Sequence, residues 1–227
     1  MAVNPVKLFV VIPAYNEAKN IGRVIRGVKK YAKKIIVVDD GSKDGTSQIG
    51  LQNGATVYSH IFNRGLGGAL GTGIRAALLN GADIIVTLDA DGQHNPDEIP
   101  KLIKPISGGK ADVVIGSRFL ERQPMPFFRR IGIPFANLIT FLFFGAWSTD
   151  SQSGFRAFSK KAAENLEIFT GGMEASSEII KEIKSRRLKV KEVPITAIYT
   201  PYSLSKGQGF STGLKTLLKL FILKLSR

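Results

Sequence analysis

The sequence predicts an α/β protein in which a mostly parallel central sheet is flanked by helices. Short apolar runs rich in Val and Ile alternate with longer segments whose apolar residues recur every three to four positions. In addition, polar residues able to do chemistry follow the ends of several of these apolar runs. The 227 residues suffice for one large domain. We expect that domain over residues 1–208 and a separate helix over 209–227.

The elements follow one another as strand, helix, strand. Each predicted strand is a short apolar run bounded by turn-forming or charged residues, and each predicted helix is a longer segment with one apolar face. Strands are expected at 8–12, 35–38, 56–59, 83–88 and 111–115, and helices at 18–31, 46–53, 66–79 and near 96–106. Helical crossovers between neighbouring strands indicate parallel pairing.

Four polar motifs lie at the ends of predicted strands, in runs 13–17, 39–42, 89–91 and 116–118. The carboxyl ends of parallel strands meet at one edge of the sheet, and ligands of open α/β sheets bind beyond that edge. One such coincidence is uninformative, because polar residues commonly form turns or helix caps there. Four of them favour one shared cleft.

The run 82–94 contains the most informative of these motifs. Asp89 and Asp91 follow the apolar strand 83–88, one residue apart. Carboxylate oxygens suit Mg²⁺ or Mn²⁺, so the pair is a candidate cation site that could hold a diphosphate. Taken alone, an Asp-x-Asp pair is equally consistent with a turn or a helix cap, and its neighbours along the sheet decide between the two.

The charge of the chain indicates an anionic partner. The formal net charge is +14, and residues 181–227 hold eleven Lys or Arg against two Glu. Without any RNA-binding or zinc-finger motif, this excess does not favour nucleic acid. The absence of Cys excludes disulfides and thiolate metal ligands. The first residues show no signal-peptide pattern, so we expect the domain to face the cytoplasm.

The segment 127–147 is apolar, and its residues 131–147 carry no charge. Seventeen residues are the lower limit for a membrane span, and Pro134, Asn137 and Thr140 weaken that interpretation. A helix lying in the membrane interface and a helix buried in the core both fit the composition.

A second apolar pattern occupies residues 213–225 near the C-terminus. Its leucines and Phe221 share one face of a helix, while Lys215, Lys219 and Lys224 lie off that face. Such a basic amphipathic helix can rest on anionic lipid. It can equally pack on its own domain, a membrane-protein partner or a second copy of the chain.

Taken together, the motifs at 11–17, 37–46 and 89–91 resemble those of the family 2 glycosyltransferases, which have the GT-A fold and bind nucleotide sugars. The likeness continues through 116–118, 153–156 and 205–206, so it covers nearly the whole chain. Within the family, the chain is most similar to the dolichyl-phosphate and polyprenyl-phosphate sugar synthases. The resemblance implies a glycosyltransferase domain whose C-terminal amphipathic helix associates with the membrane.

The resemblance assigns roles in donor binding. Pro13, Tyr15 and Glu17 match positions that cradle the base and ribose, and Asp40 with the backbone of Val38 matches the position that reads the base. The nucleotide-sugar site also includes Asp89, Ala90 and Asp91. Within that set Asp89 and Asp91, with Gln93, match the ligands of the divalent cation.

The resemblance also assigns roles in group transfer. Arg118, Arg129 and Lys206 match residues that hold phosphates, and Arg suits that work through its bidentate geometry. Asp91, Arg118, Arg129 and Asp150 are the expected catalytic residues. A polyprenyl phosphate oxygen is already ionised near neutral pH, so it attacks without a protein base and inverts the anomeric carbon. A saccharide hydroxyl acceptor would instead need Asp150 as base.

Several alternatives remain open at this stage. Many mannose synthases carry an arginine shortly before the Ser-Lys pair, where this chain has 199–202, so GDP-mannose, UDP-glucose and UDP-N-acetylglucosamine are all candidate donors. The expected location is peripheral, on the cytoplasmic face of the cell membrane. A protein that binds nucleotide sugar or lipid without turnover is the alternative from another functional class.

Overall fold

A computed structural model describes residues 6–172, 174–200 and 202 of the chain. The strands are β1 (Leu8–Ala14), β2 (Lys34–Asp39), β3 (Thr56–Ser59), β4 (Ile84–Thr87), β5 (Val113–Ser117), β6 (Arg156–Ser159) and β7 (Val190–Pro194). The helices are α1 (Ile21–Val28), α2 (Thr46–Gln52), α3 (Gly65–Leu79), α4 (Ile99–Ser107), α5 (Phe127–Phe144), α6 (Lys160–Asn165) and α7 (Ala175–Ser185).

The strands form one seven-stranded sheet in the order β3-β2-β1-β4-β6-β5-β7. Only β6 runs antiparallel to its neighbours β4 and β5, and the other pairings in the sheet are parallel. The predicted fold class is therefore confirmed. All five predicted strands occur within a few residues of their expected bounds, whereas β6 and β7 had not been predicted.

Two apolar cores cover the two faces of the sheet. Along β1, Leu8, Val10 and Ile12 point into the core beneath α1 and α4, while Phe9 and Val11 point into the core beneath α3, α6 and α7. This alternation is the period-two pattern of a strand buried on both sides. Burial on both faces fixes the strand register, and hence the position of every residue that follows a strand end.

Helix α5 is the exception to this burial. By length and composition it could cross a membrane, but only 17% of it is buried inside the protein. Its buried residues are Ile133, Asn137 and Thr140. Asn137 and Thr140 thus face the protein, and most of the large apolar side chains of the helix face outward. The alternative of a buried core helix over 127–147 does not hold.

Two predictions lie outside the described residues. One is the basic helix over 209–227, with the domain boundary at 208. The other is the placement of Lys206 near the phosphate-binding arginines.

Candidate active site

A cleft of about 460 Å³ opens at the carboxyl edge of the sheet between the ends of β1 and β4. Its size is in the range of small-molecule sites. It is lined by Pro13, Tyr15, Asn16, Glu17, Leu66, Asp89, Ala90 and Asp91. Six of these were predicted from the sequence as nucleotide-sugar residues, and the structure brings them together. Asn16 and Leu66 were not predicted.

The loop after β1 is shaped by Glu17, which is 7% exposed. Its N–H donates to Oγ1 of Thr46 (2.8 Å), and its carbonyl accepts from the N–H groups of Asn20 and Ile21. Its carboxylate accepts from the hydroxyl of Tyr202 (3.0 Å). The loop is thereby tied to α1 and α2, with a carboxylate held at the cleft wall.

Asp40 lies behind the cleft wall. Its carboxylate accepts from the backbone N–H of Arg64 (2.8 Å), the N–H of Gly65 (2.7 Å) and Nδ1 of His60 (2.6 Å). Carboxylates stabilise helix N-termini in this way. The contact fixes the start of α3, which places Leu66 in the cleft. Neither Asp40 nor the buried Val38 lines the cleft, so base reading by this pair stays a prediction.

Asp89 is held on two sides. The Nε2 of the buried His94 donates to its Oδ2 (3.0 Å), and Gly154 lies against the carboxylate. A Cβ at position 154 would stand 2.2 Å from Oδ1, so only glycine fits there. Burial opposes the charge, but His94 and the cations Arg118 and Arg156 hold the pKa of Asp89 below its ordinary value.

The pKa of Asp91 is shifted in the opposite direction from that of Asp89. Burial and the negative charge of Asp89 raise the pKa of Asp91 above its ordinary value. A divalent cation would relieve this repulsion, so the two carboxylates fit such an ion. No group of three or more His, Cys, Asp or Glu side chains placed to hold a metal ion occurs in the described part of the chain. The protein would therefore offer these two carboxylates and leave further positions to oxygen atoms of ligand or water.

Gln93 connects Asp91 to helix α5. Its N–H and its side-chain amide both donate to the Asp91 carboxylate, while its side-chain oxygen accepts from Arg129. The guanidinium of Arg129 also lies over the ring of Tyr199, 5.2 Å from the centroid. The Gln93 oxygen already accepts from Arg129, so its predicted role as a cation ligand would fall to the second lone pair of that oxygen.

Arg118 and Asp150 form a buried bidentate pair. Asp150 is fully buried, and its two oxygens accept from Nε and Nη2 of Arg118, both at 2.7 Å. Burial opposes the charge of Arg118, but Asp150 raises the pKa of Arg118 above its ordinary value. Nη1 makes no hydrogen bond to the part of the chain that the structure describes. Arg118 is thus a fixed cation with one edge available, and Asp150 has no exposed oxygen with which to accept a proton.

Arg156 is a functional candidate that sequence reasoning missed. It is 1% exposed at the start of β6, where its Nη2 donates to the carbonyl of Ser151 (2.7 Å). Its guanidinium interacts electrostatically with the carboxylates of Asp89 and Asp150. Burial lowers the pKa of Arg156 to about 10, so it remains a cation at neutral pH. The motif at 153–156 was the available signal, but it carried no role for this side chain.

Carboxylates at the ends of parallel strands, arginines near them and a cleft of this size fit an α/β enzyme that binds a phosphorylated ligand. The chain belongs to glycosyl transferase family 2, whose sequence profile matches residues 9–167. It is therefore a glycosyltransferase.

Relatives and structural neighbours agree with this assignment. The chain is 39% identical to a UDP-N-acetylglucosamine–dolichyl-phosphate N-acetylglucosaminyltransferase of Methanococcus voltae, over 97% of each sequence. It is 32% identical to a dolichol-phosphate mannosyltransferase of Pyrococcus furiosus, over 84% of this chain and 56% of that one. Glucosyl-3-phosphoglycerate synthase of Mycobacterium tuberculosis, solved with Mn²⁺ and UDP-glucose, shares the fold with a TM-score of 0.73 at 21% identity, over 97% and 78% of the two chains.

Proposed function

We propose that this glycosyltransferase moves a sugar from a nucleotide sugar to a polyprenyl (dolichyl) phosphate at the cytoplasmic face of the membrane, with Mg²⁺ or Mn²⁺ as cofactor. The observation that carries the proposal is the buried pair of Arg118 and Asp150. It engages the expected base in a buried ion pair, and the guanidinium of that pair is a cation that interacts electrostatically with Asp89 of the cleft. A phosphate acceptor needs a cation and no base.

The proposed reaction is a single displacement. An oxygen of the acceptor phosphate forms a bond to the anomeric carbon as the bond to the nucleoside diphosphate breaks, so the configuration inverts. Arg118 and Arg129 hold and align the phosphates. A cation on Asp89 and Asp91, when bound, offsets the charge that develops on the departing diphosphate. Glu17 and Tyr15 hold the nucleoside.

UDP-N-acetylglucosamine is the first donor to test. The relative whose name contains that donor is 39% identical to this chain, against 32% for the mannosyltransferase. GDP-mannose and UDP-glucose are the alternatives. The family 2 reaction with a saccharide hydroxyl would require the fully buried Asp150, which accepts three hydrogen bonds from Arg118, to become accessible to the acceptor before it could act as a base.

A donor and acceptor panel tests the proposal. Each radiolabelled nucleotide sugar is incubated with a short polyprenyl phosphate and Mg²⁺ or Mn²⁺, and label is counted in the organic extract. We expect label to enter the lipid from one donor. Transfer only to soluble saccharides would overturn the lipid-phosphate acceptor. Tight donor binding by calorimetry without turnover on any acceptor would identify a binding protein instead.

The outward face of α5 supports attachment to a membrane. Large apolar side chains recur on it every three to four residues, and Asn137 and Thr140 lie on the opposite, buried face. The exposed side chains are Phe127, Phe128, Ile131, Phe135, Leu138, Phe141, Leu142 and, just beyond the helix, Trp147. An apolar stripe of this kind suits a helix lying in the lipid interface. A membrane-protein partner and a homo-oligomer remain predictions.

The double change Phe135→Ser and Leu138→Ser should weaken binding to lipid vesicles by about tenfold or more, since each buried side chain of this size contributes about 1.5–3 kcal/mol. Both side chains are exposed, at 56% and 45%, so folding should be unaffected. The measurement is cosedimentation with vesicles of mixed neutral and anionic phospholipid. Leu79→Ser is the matched control, because Leu79 is 79% exposed on α3. Undiminished cosedimentation of the double variant would exclude α5 as the attachment surface.

A further inference from the structure

The residues 148–151, here called the Asp150 turn, are bound from two sides. On one side, the carboxylate of Glu192 on β7 accepts from the hydroxyl of Ser148 (2.6 Å) and from the N–H (2.9 Å) and hydroxyl (2.6 Å) of Thr149. On the other side lies helix α5. These two attachments act together with the hydrogen bond between the hydroxyls of Ser117 and Thr149 and with the bond from Arg156 to the Ser151 carbonyl. Together they set the position of Asp150, and therefore of the Arg118 guanidinium that it holds.

Among the described residues, Asn137 is the α5 side chain that hydrogen-bonds to the turn. Its Nδ2 donates to the carbonyl of Thr149 (2.7 Å), and its Oδ1 accepts from the N–H of Ser151 (2.9 Å). These two bonds bracket Asp150 along the chain. Asn137 is 3% exposed and lies on a helix whose other face is apolar and open. Its amide therefore satisfies two backbone groups that would otherwise be buried without partners.

We infer that Asn137 is a positioning residue for group transfer: it acts through the Asp150 turn to set the direction of the Arg118 guanidinium. The inference rests on the proposed function, in which Arg118 holds a phosphate. It also makes α5 the shared support of both arginines, because Arg129 at its first turn bonds to Gln93 and so reaches Asp91. The helix proposed to lie on lipid is thereby joined by polar contacts to both sides of the reaction site.

An amide is the side chain that this position requires. Leucine has the same branching and the same number of heavy atoms but leaves the Thr149 carbonyl and the Ser151 N–H without their partners. Aspartate keeps an acceptor for Ser151 but places a carboxylate oxygen against the Thr149 carbonyl. Both changes release the Asp150 turn on the α5 side while Glu192 still holds its other side. The turn should then shift rather than unfold.

The first measurement compares wild type with Asn137→Leu and Asn137→Asp under steady-state conditions. A misplacement of about 1 Å at a reacting centre can cost about a hundredfold, so we expect kcat/KM for the polyprenyl phosphate to fall by about ten- to a hundredfold. The dissociation constant of the nucleotide sugar should stay within about twofold of wild type, because its proposed contacts lie in the loops after β1 and β4. If Asn137 had a merely structural role, its loss would change kcat/KM for the acceptor and the dissociation constant of the nucleotide sugar together.

The second measurement asks whether the effect passes through Arg118. Asn137→Leu is combined with Arg118→Lys, which keeps the charge but loses the bidentate geometry. If Asn137 acts through Arg118, the double variant should have a kcat/KM for the polyprenyl phosphate less than about twofold below that of Arg118→Lys alone. Thr140→Val is the matched control, since Thr140 lies one turn further along the same buried face and contacts Ser177 of α7 (2.8 Å) instead. It should retain wild-type kinetics.

The outcomes separate this inference from the proposed function. Wild-type protein that transfers no sugar to lipid phosphate would overturn the proposed function itself. Active wild type with unchanged acceptor kcat/KM in either folded Asn137 variant would overturn only the role of Asn137. A loss of the same size with and without Arg118→Lys would show that Asn137 acts elsewhere. Circular dichroism establishes folding, and Asn137→Asp keeps the comparison available if Asn137→Leu is unstable.

Discussion

Replacing Asp91 by asparagine is expected to lower the rate of sugar transfer by roughly a hundred- to a thousandfold, since a cation at a leaving group contributes several kcal/mol. Asn keeps the shape of the side chain but lacks the charge that a hard cation requires. Initial rates with radiolabelled donor give the activity. Calorimetric titration with Mn²⁺ and electron paramagnetic resonance of bound Mn²⁺ give the affinity, which should weaken in parallel.

Asp83→Asn is the matched control for this change. Asp83 precedes the same strand, β4, at its opposite end, where its carboxylate accepts from the N–H of Lys7 (2.8 Å). It carries the same charge but lies away from the cleft, so transfer and Mn²⁺ affinity should match wild type. If Asp91→Asn bound Mn²⁺ as wild type does, the two aspartates would not be the cation site.

The strand pattern predicted most of the fold because the sequence shows both the apolar run of each buried strand and the polar residue at its end. In β1 and β4, burial on both faces demands continuous β-branched or apolar residues, and the first polar residue marks the strand end. That is why Asp89 and Asp91 could be placed beside the loop after β1 from sequence alone. Parallel pairing then brings the two strand ends to one edge.

The pair of Arg118 and Asp150 was beyond sequence reasoning for a different reason. The two residues are 32 positions apart, and α5 lies between them. No local pattern states that a strand-end arginine and a loop aspartate will meet. The family resemblance gave each residue a role in binding or activating a ligand. In the folded protein, the two side chains bind each other.

Composition alone could not distinguish the two alternatives for α5. A core helix and an interfacial helix both need a broad apolar surface, and both tolerate a few polar residues. What decides between them is the direction in which the polar residues point. Asn137 and Thr140 find their partners inside the protein, in the Asp150 turn and on α7, which leaves the apolar side chains outside.

Arg156→Met is expected to reduce the free energy of unfolding by about 3–5 kcal/mol, the usual cost of removing one member of a buried charge cluster. Asp89, Arg118, Asp150 and Arg156 interact electrostatically, two carboxylates with two guanidinium groups. Without Arg156, Arg118 would be the one guanidinium left in this cluster for both carboxylates. The carbonyl of Ser151 would also lose its charged donor. Urea unfolding followed by circular dichroism measures the loss.

Arg75→Met provides the comparison for this variant, because Arg75 lies on the exposed surface of α3 and the same atoms are exchanged. Its free energy of unfolding should change by less than about 0.5 kcal/mol. Equal stability of the two variants would mean that the carboxylates do not need Arg156 in the folded state. The expected difference instead implies that the charge of Arg156 stabilises the folded protein through Asp89 and Asp150, since methionine fills a similar space but leaves these carboxylates without that cation.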